Sequence, residues 1–200
     1  MAVNHFGHVI LASHLMPQMK KTAEKGDYVR IVTLGSNAHQ ATPSDCKFES
    51  LDELNTDLGA NGQYGRSKLA QMLYAKYLGK HLTQGKEPMV LANSVHPGFV
   101  DTKMSTDDIH EPFPLGGYAM SVGMQPFKKD QFQGCVSAMF AATKTDRSGE
   151  YICPPAIPEK GNSLYQNDNL AENLMALTKS VVKEKMYAES VGRGCSLEFY

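Results

Sequence analysis

The chain has 200 residues, 42% hydrophobic and 20% charged, with a formal net charge of −1. That balance suits one globular domain with a sizeable core and excludes the clustered Lys and Arg of a nucleic-acid surface. No apolar stretch reaches the roughly 20 residues of a bilayer span, and Cys46, Cys135, Cys153 and Cys195 form no C-x-x-C pair, so they read as reduced thiols of an intracellular, cytoplasmic protein.

The opening MAVNHFGHVILASHLMPQM sets Val3, Phe6, Ile10, Leu11, Leu15 and Met19 at helical spacing, the pattern of a buried helix. Lys20 and Lys21 suit its C-terminus, and Gly26 ends it. No Ser, Thr, Asp or Asn stands ahead of its first apolar residues as a cap. It is no signal peptide either: a basic n-region is missing, and His5, His8 and His14 interrupt the apolar run. YVRIVTLGS (28–36) alternates and is rich in β-branched residues, so it reads as a strand. Residues 37–60 are polar and turn-rich, with a short helical turn near SLDELN.

GQYGRSKLAQMLYAKYLGKHL (62–82) reads as a long helix, with Leu69, Met72, Leu73, Ala75 and Tyr77 filling one side. PMVLANSVHPG (88–98) is a buried strand closing at Pro97-Gly98. Residues 101–127 have no clear period, and so long a loop is either a functional lid or disordered. QFQGCVSAMFAATK (131–144) is a helix with Val136, Met139 and Phe140 inward. GEYICPP (149–155) is a short strand, and NLAENLMALTKSVVKEKM (169–186) a closing amphipathic helix before a tail.

Helices thus alternate with strands, which implies right-handed crossovers and a parallel sheet covered on both faces. Only about three strands are present, where a doubly wound sheet usually has five or six. The expected architecture is α/β: the C-terminal part of a Rossmann-like doubly wound sheet, residues 1–190, lacking the first βαβ units. Residues 191–200 are expected to be a tail.

Tyr64 and Lys68 stand four apart on the long predicted helix and so share a face. An ammonium beside a phenol favours the phenolate, and such a tyrosine can exchange a proton with a carbonyl or alcohol oxygen. One such pair is about what chance supplies in a chain of this composition, so its surroundings decide. Ser36 ends one predicted strand and SVHPGFVDT ends the next. Ligands of open α/β sheets bind beyond the carboxyl ends of strands. Tyr64, near the start of the intervening helix, faces the same rim.

These motifs, in this order, resemble those of the short-chain dehydrogenase/reductases: VNHFGHVILASHLMPQM, RIVTLGSNAH, YGRSKLAQMLYAKYL, SVHPGFVDTKM and the closing GEYICPP. Within that family they are most similar to the retinol-dehydrogenase-like and WW-domain-oxidoreductase-like branch. The resemblance implies an NAD(P)-dependent oxidoreductase acting on a lipophilic alcohol, aldehyde or ketone. It implies that Tyr64 is the catalytic acid/base, and that Lys68 lowers the tyrosine pKa and hydrogen-bonds the nicotinamide ribose. Ser36 would orient and polarise the substrate oxygen. Asn4 would hold a relay water with its backbone. Pro97, Gly98, Val100 and Thr102 would lie along the nicotinamide and its phosphates. A homodimer is also implied, through the helices that hold Asn4 and Tyr64.

The chain departs from the pattern in having Gly35-Ser36 where the family usually has two serines, and in a longer separation of Ser36 from Tyr64, which fits the branch. No strand–glycine–helix unit precedes Asn4, so the pyrophosphate anchor and the residue selecting NAD or NADP are missing. The chain reads as N-terminally truncated, and a catalytically silent interaction module is the rival function. A metal site at His5 and His8 lacks a carboxylate or Cys partner. A serine hydrolase with Ser36 as nucleophile and His39 or His96 as base lacks the G-x-S-x-G elbow. Met104, Phe113, Met120, Met124 and Phe127 either line an apolar substrate pocket or simply pack.

Overall fold

In a computed structural model, the described residues are 1–83, 90–98, 100, 131–194 and 199. A π-helical turn at Ala2–Gly7 runs directly into α1, His8–Ala23. Strand β1 (Val29–Leu34) follows, then a 3-10 turn at Asn37–Ala41, a short α2 (Leu51–Asn55) and the long α3 (Gly59–Leu82). Strand β2 (Val90–Val95), α4 (Gln131–Thr143), β3 (Tyr151–Cys153), β4 (Ile157–Glu159), α5 (Ser163–Gln166) and α6 (Asp168–Gly192) complete the order.

The sheet runs β1-β2-β3-β4. β1 pairs with β2 in parallel from Val29↔Val90 to Leu34↔Val95, and β2 with β3 in parallel at Ser94↔Tyr151. Every residue of β2 is buried, as a central parallel strand covered on both faces should be. The expected three strands are therefore joined by a fourth. β4 turns back antiparallel on β3, with Cys153↔Ile157 and Tyr151↔Glu159 paired. Its IPE sequence is exposed and carries Pro158, which gives no strand signal but is tolerated at an edge.

Helices cover both faces. On one, α1, α3 and α6 pack through Val9, Met16, Leu69, Met72, Leu73 and Leu174 onto Val90 and Ala92. On the other, α4 sets Ala141 against Val95 and Ile152. The central position of α3, between sheet and α6, explains why Leu69 through Ala75 are all buried rather than one stripe.

Two expected helix faces differ. On α1 the buried set is Val9, Ala12, Ser13, Met16 and Ala23, continued from His5, while Leu11 and Leu15 are exposed, as is Val3 in the preceding turn. The small Ala12 and Ser13 let α1 approach its neighbours, and the leucines turn toward the outer edge of β1. On α4 the buried residues are Gly134, Ser137 and Ala141, with Phe140 partly buried; Val136 and Met139 are 38% and 58% exposed. A Cβ at Gly134 would collide with the Val100 side chain, so the smallest residues face inward. The thiols of Cys46, Cys135 and Cys153 are free, and burial pushes those of Cys46 and Cys153 up to about 12.

Candidate active site

The first turns of α3 project Tyr64 to the surface, 47% exposed, with Lys68 one turn further on. The Lys68 ammonium lies 5.6 Å from the centre of the Tyr64 ring, within cation–π range. Its Nζ donates to the Leu34 carbonyl at 2.9 Å and to Gln71 Oε1 at 3.4 Å. An ammonium has three N–H groups, so one is left for a ligand. Burial lowers the pKa of Lys68. No described residue hydrogen-bonds the Tyr64 hydroxyl.

Ser36 caps the 3-10 turn that follows β1: its Oγ accepts from the Ala38 N–H at 3.1 Å. That turn is pressed onto α3 beside Tyr64. A Cβ at Gly65 would sit 2.5 Å from the Ala38 carbonyl oxygen, so only glycine admits this approach. Gly35 has a packing reason too, since a Cβ there would meet Ser94 Oγ at 2.7 Å and Met72 Cγ at 2.9 Å. His39 Nδ1 donates to the Ser36 main-chain carbonyl at 2.8 Å, not to its hydroxyl. A hydrolytic Ser–His pair needs the opposite arrangement.

Asn4 reaches α3 from the π-helical turn. Its Nδ2 donates to Ser67 Oγ at 3.0 Å, and Ser67 Oγ donates to the Tyr64 carbonyl at 2.8 Å. Asn4, Ser67, Tyr64 and Lys68 are thus brought into one patch, with the turn capped by Ser36 alongside. Pro97 and Gly98 follow β2, with Gly98 at φ 84°, a left-handed conformation that glycine adopts without strain. Val100 packs against Gly134 of α4. Thr102 and the apolar set Met104, Phe113, Met120, Met124 and Phe127 lie outside the described residues.

A groove of about 460 Å³ runs along the outer edge of β1, lined by Asn4, Leu11, Leu15, Leu34, Lys68 and Gln71 among others. The groove sets the remaining Lys68 N–H beside the apolar walls of Leu11, Leu15 and Leu34. Among the described residues no glycine-rich turn leads from a strand straight into an α-helix, so the pyrophosphate finds no cradle there. No three His, Cys, Asp or Glu side chains gather as a metal-ligand set among the described residues. Nor is any helix there long and apolar enough to cross a membrane.

The bli-4 protein of Neurospora crassa, named as a mitochondrial oxidoreductase, is 50% identical over 99% of this chain and 49% of its own length. A short-chain dehydrogenase/reductase of Armillaria gallica is 30% identical over 94% of this chain and 62% of its own. The chain is related to the short-chain dehydrogenase/reductases. The WW domain-containing oxidoreductase of Pongo abelii is 26% identical over 94% of this chain and 44% of that protein. The chain spans about half the length of these relatives. No family model matches it. A solved structure from Mycobacterium paratuberculosis superposes with a TM-score of 0.64 over 98% of this chain and 59% of that one; at 21% identity the likeness is one of fold. The sheet and its flanking helices form a partial Rossmann-like fold.

The cytoplasmic expectation is overturned. The relative that matches nearly the whole chain at 50% identity carries a mitochondrial name, and the cysteine pattern behind that expectation does not separate reducing compartments from one another. Four residues that hold the candidate patch together had no assigned part in it from sequence: Ser67, Gln71, His39, weighed there only as a hydrolytic base, and Asn162. The first three stand three residues after Tyr64, Lys68 and Ser36, a spacing that brings side chains back to a turn they can hold. Asn162 acts across 123 residues and left no local signal.

Proposed function

We propose that the chain carries the proton-handling side of an NAD(P)-dependent oxidoreductase that interconverts a lipophilic alcohol with its aldehyde or ketone. A bound nicotinamide would supply or take the hydride at the carbonyl carbon. Tyr64 gives its phenolic proton to the carbonyl oxygen in reduction and takes it back in oxidation. The Lys68 ammonium lies beside the negative charge that develops as the proton leaves, and its free N–H is set to bind ribose. Ser36 accepts from Ala38, which leaves its own O–H to donate to the substrate oxygen. Pro97, Gly98, Val100 and Thr102 would lie along the cofactor, which is NAD or NADP.

One observation carries this reading: the Lys68 ammonium stands 5.6 Å from the ring centre of a half-exposed tyrosine, at the rim where the Ser36-capped turn meets Gly65. The retinol-dehydrogenase-like and WW-domain-oxidoreductase-like branch is supported by the YGRSKLAQMLYAKYL and SVHPGFVDT motifs and by the Pongo relative. In this reading residues 1–190 form the partial domain and 191–200 a tail, and two copies pair through α1 and α3.

The test is titration of NADPH and NADH into the protein, followed by nicotinamide fluorescence, with turnover measured on lipophilic carbonyl substrates. Saturable binding is expected, and its absence up to millimolar cofactor overturns the reading for this chain. Tyr64→Phe should abolish turnover and leave cofactor binding nearly intact. Turnover surviving that change removes the proton-transfer role.

A second reading, a silent interaction module, is favoured by the outer edge of β1, which pairs with no strand among the described residues. Such an edge is a template for a strand from another chain. Concentration-dependent association in sedimentation, with no cofactor binding, would select it.

A further inference from the structure

We infer that His39 is a positioning residue for Ser36: its imidazole ties the Ser36 carbonyl to the backbone of Asn162 and so fixes the direction of the Ser36 hydroxyl. The inference rests on the reading that Ser36 polarises the substrate oxygen.

The ring is 1% exposed and bonded at both nitrogens. Nδ1 faces the Ser36 carbonyl at 2.8 Å, and a carbonyl only accepts, so Nδ1 carries the hydrogen. Nε2 faces the Asn162 N–H at 3.3 Å, and an amide N–H only donates, so Nε2 is bare. The two partners therefore select one neutral tautomer. Burial, the largest influence on its pKa, lowers it and keeps the ring neutral.

The same loop grips the turn again. Asn162 Nδ2 donates to the His39 carbonyl at 3.2 Å, and Asn162 Oδ1 caps α5 by accepting from Tyr165 N–H. From β3, Tyr151 sets its ring edge to face on His39, with centroids 5.4 Å apart, and donates its hydroxyl to Asn37 Oδ1 at 2.9 Å. Asn37 and His39 flank Ala38, whose N–H is the donor that holds Ser36 Oγ. The loop from β4 to α5, distant in sequence, thereby reaches the hydroxyl through three linked hydrogen bonds.

The test is amide hydrogen exchange at Ala38, which reads the Ser36 Oγ bond itself, in His39→Phe and His39→Asn. Phe keeps a ring in the site and makes neither bond. Asn keeps a donor near the Nδ1 position and loses the acceptor. In His39→Phe the Ala38 amide should exchange about tenfold or more faster than in the parent, beyond any acceleration of the β1 and β2 amides. In His39→Asn, Ala38 should stay protected while the Asn162 amide speeds up. Equal acceleration of Ala38 and the strand amides in His39→Phe, or an unchanged Asn162 amide in His39→Asn, overturns the inference. Should His39→Phe fail to fold, His39→Asn decides alone by the same criterion. With turnover, kcat should fall about tenfold in His39→Phe at unchanged cofactor KM and recover in His39→Asn; an unchanged kcat overturns the positioning role. Absence of turnover in the parent would defeat the oxidoreductase reading, and the exchange result would still stand.

Discussion

Asn4 and Ser67 are joined across 63 residues by a hydrogen bond of 3.0 Å, and Ser67 passes it on to the Tyr64 carbonyl at 2.8 Å. The π-helical turn is thereby bolted to α3 at the level of the candidate proton donor. A side-chain hydrogen bond of this kind is worth about 1 kcal/mol net. Asn4→Ala and Ser67→Ala should each lower unfolding free energy by about that amount, and the double variant by less than their sum. A urea-denaturation double-mutant cycle measures the coupling. Strict additivity would show that the bond does not join the two elements.

Gly65 is the point where the Ser36-capped turn touches α3. Adding one methyl there sets carbon against the Ala38 carbonyl oxygen at 2.5 Å, and backbone cannot yield as a side-chain end can. Gly65→Ala should cost about 1–3 kcal/mol, the range for overpacking a close contact. Within a helix, Ala would otherwise stabilise relative to Gly by roughly 1 kcal/mol, so the sign itself is diagnostic. A thermal melt decides it: a raised Tm would mean that the turn does not rest on Gly65.

Arg66 is buried between the two residues of the candidate pair, 1% exposed, and its guanidinium holds the excursion between β1 and α3 in place. Nη1 donates to the Glu53 carbonyl at 2.7 Å. Nη2 donates to the Leu54 carbonyl at 2.6 Å and to Gln63 Oε1 at 2.6 Å. The planar fork suits converging carbonyls in a way a lysine ammonium does not. Arg66→Met would take the donor from the Leu54 carbonyl and one of two donors from the Glu53 carbonyl, which keeps the Thr56 N–H at 3.2 Å. A buried carbonyl left bare costs about 1–3 kcal/mol, and the packing of the guanidinium is lost as well. Total loss of about 3 kcal/mol is expected, with new proteolytic cleavage inside 43–58. Limited proteolysis and urea midpoints test both. Arg66→Lys should rescue neither.

The order of helices and strands was legible in the sequence because each long segment carries its own period or β-branched run. Leu69, Met72, Leu73, Ala75 and Tyr77 are buried as their spacing implies. The facing of α1 and α4 was not legible. There the inward residues are Ala12, Ser13, Gly134 and Ser137, chosen for smallness at close approaches, whereas hydrophobicity alone points to Leu11, Leu15, Val136 and Met139. β4 was invisible because three exposed residues with a central proline resemble a loop until β3 is there to pair with them. Tyr64 and Lys68 come together because four residues on a helix must share a face. Their links to Asn4 and Leu34, 60 and 34 residues away, are tertiary and leave no local spacing to read.

His5 joins the π-helical turn to α6, and its chemistry makes stability depend on pH. Thr178 Oγ1 donates to the Leu174 carbonyl at 2.7 Å, so it accepts from His5 Nε2 at 2.8 Å, and Nε2 carries the hydrogen. Nδ1 is then bare, buried and without a hydrogen-bond partner among the described residues. A second proton would have to sit there, in a fully buried ring packed edge-on against Tyr74. Burial, reinforced by the Met1 ammonium and His8, pulls the pKa down to about 3 from an ordinary value of 6.5. Between those values the unfolded chain binds a proton that the folded chain refuses. The stabilisation from this group is complete above pH 6.5 and is lost as pH falls toward 3. At about 1.4 kcal/mol per pH unit, roughly 2 kcal/mol should go between pH 6.5 and 5. His5→Gln retains an amide donor for Thr178 and does not titrate, so its stability should fall by about 2 kcal/mol less than that of the parent over the same interval. His39 titrates in both proteins and cancels in the comparison. Parallel stability profiles for the two, measured by urea unfolding at pH 7 and pH 5, would show that His5 is not held neutral by its burial.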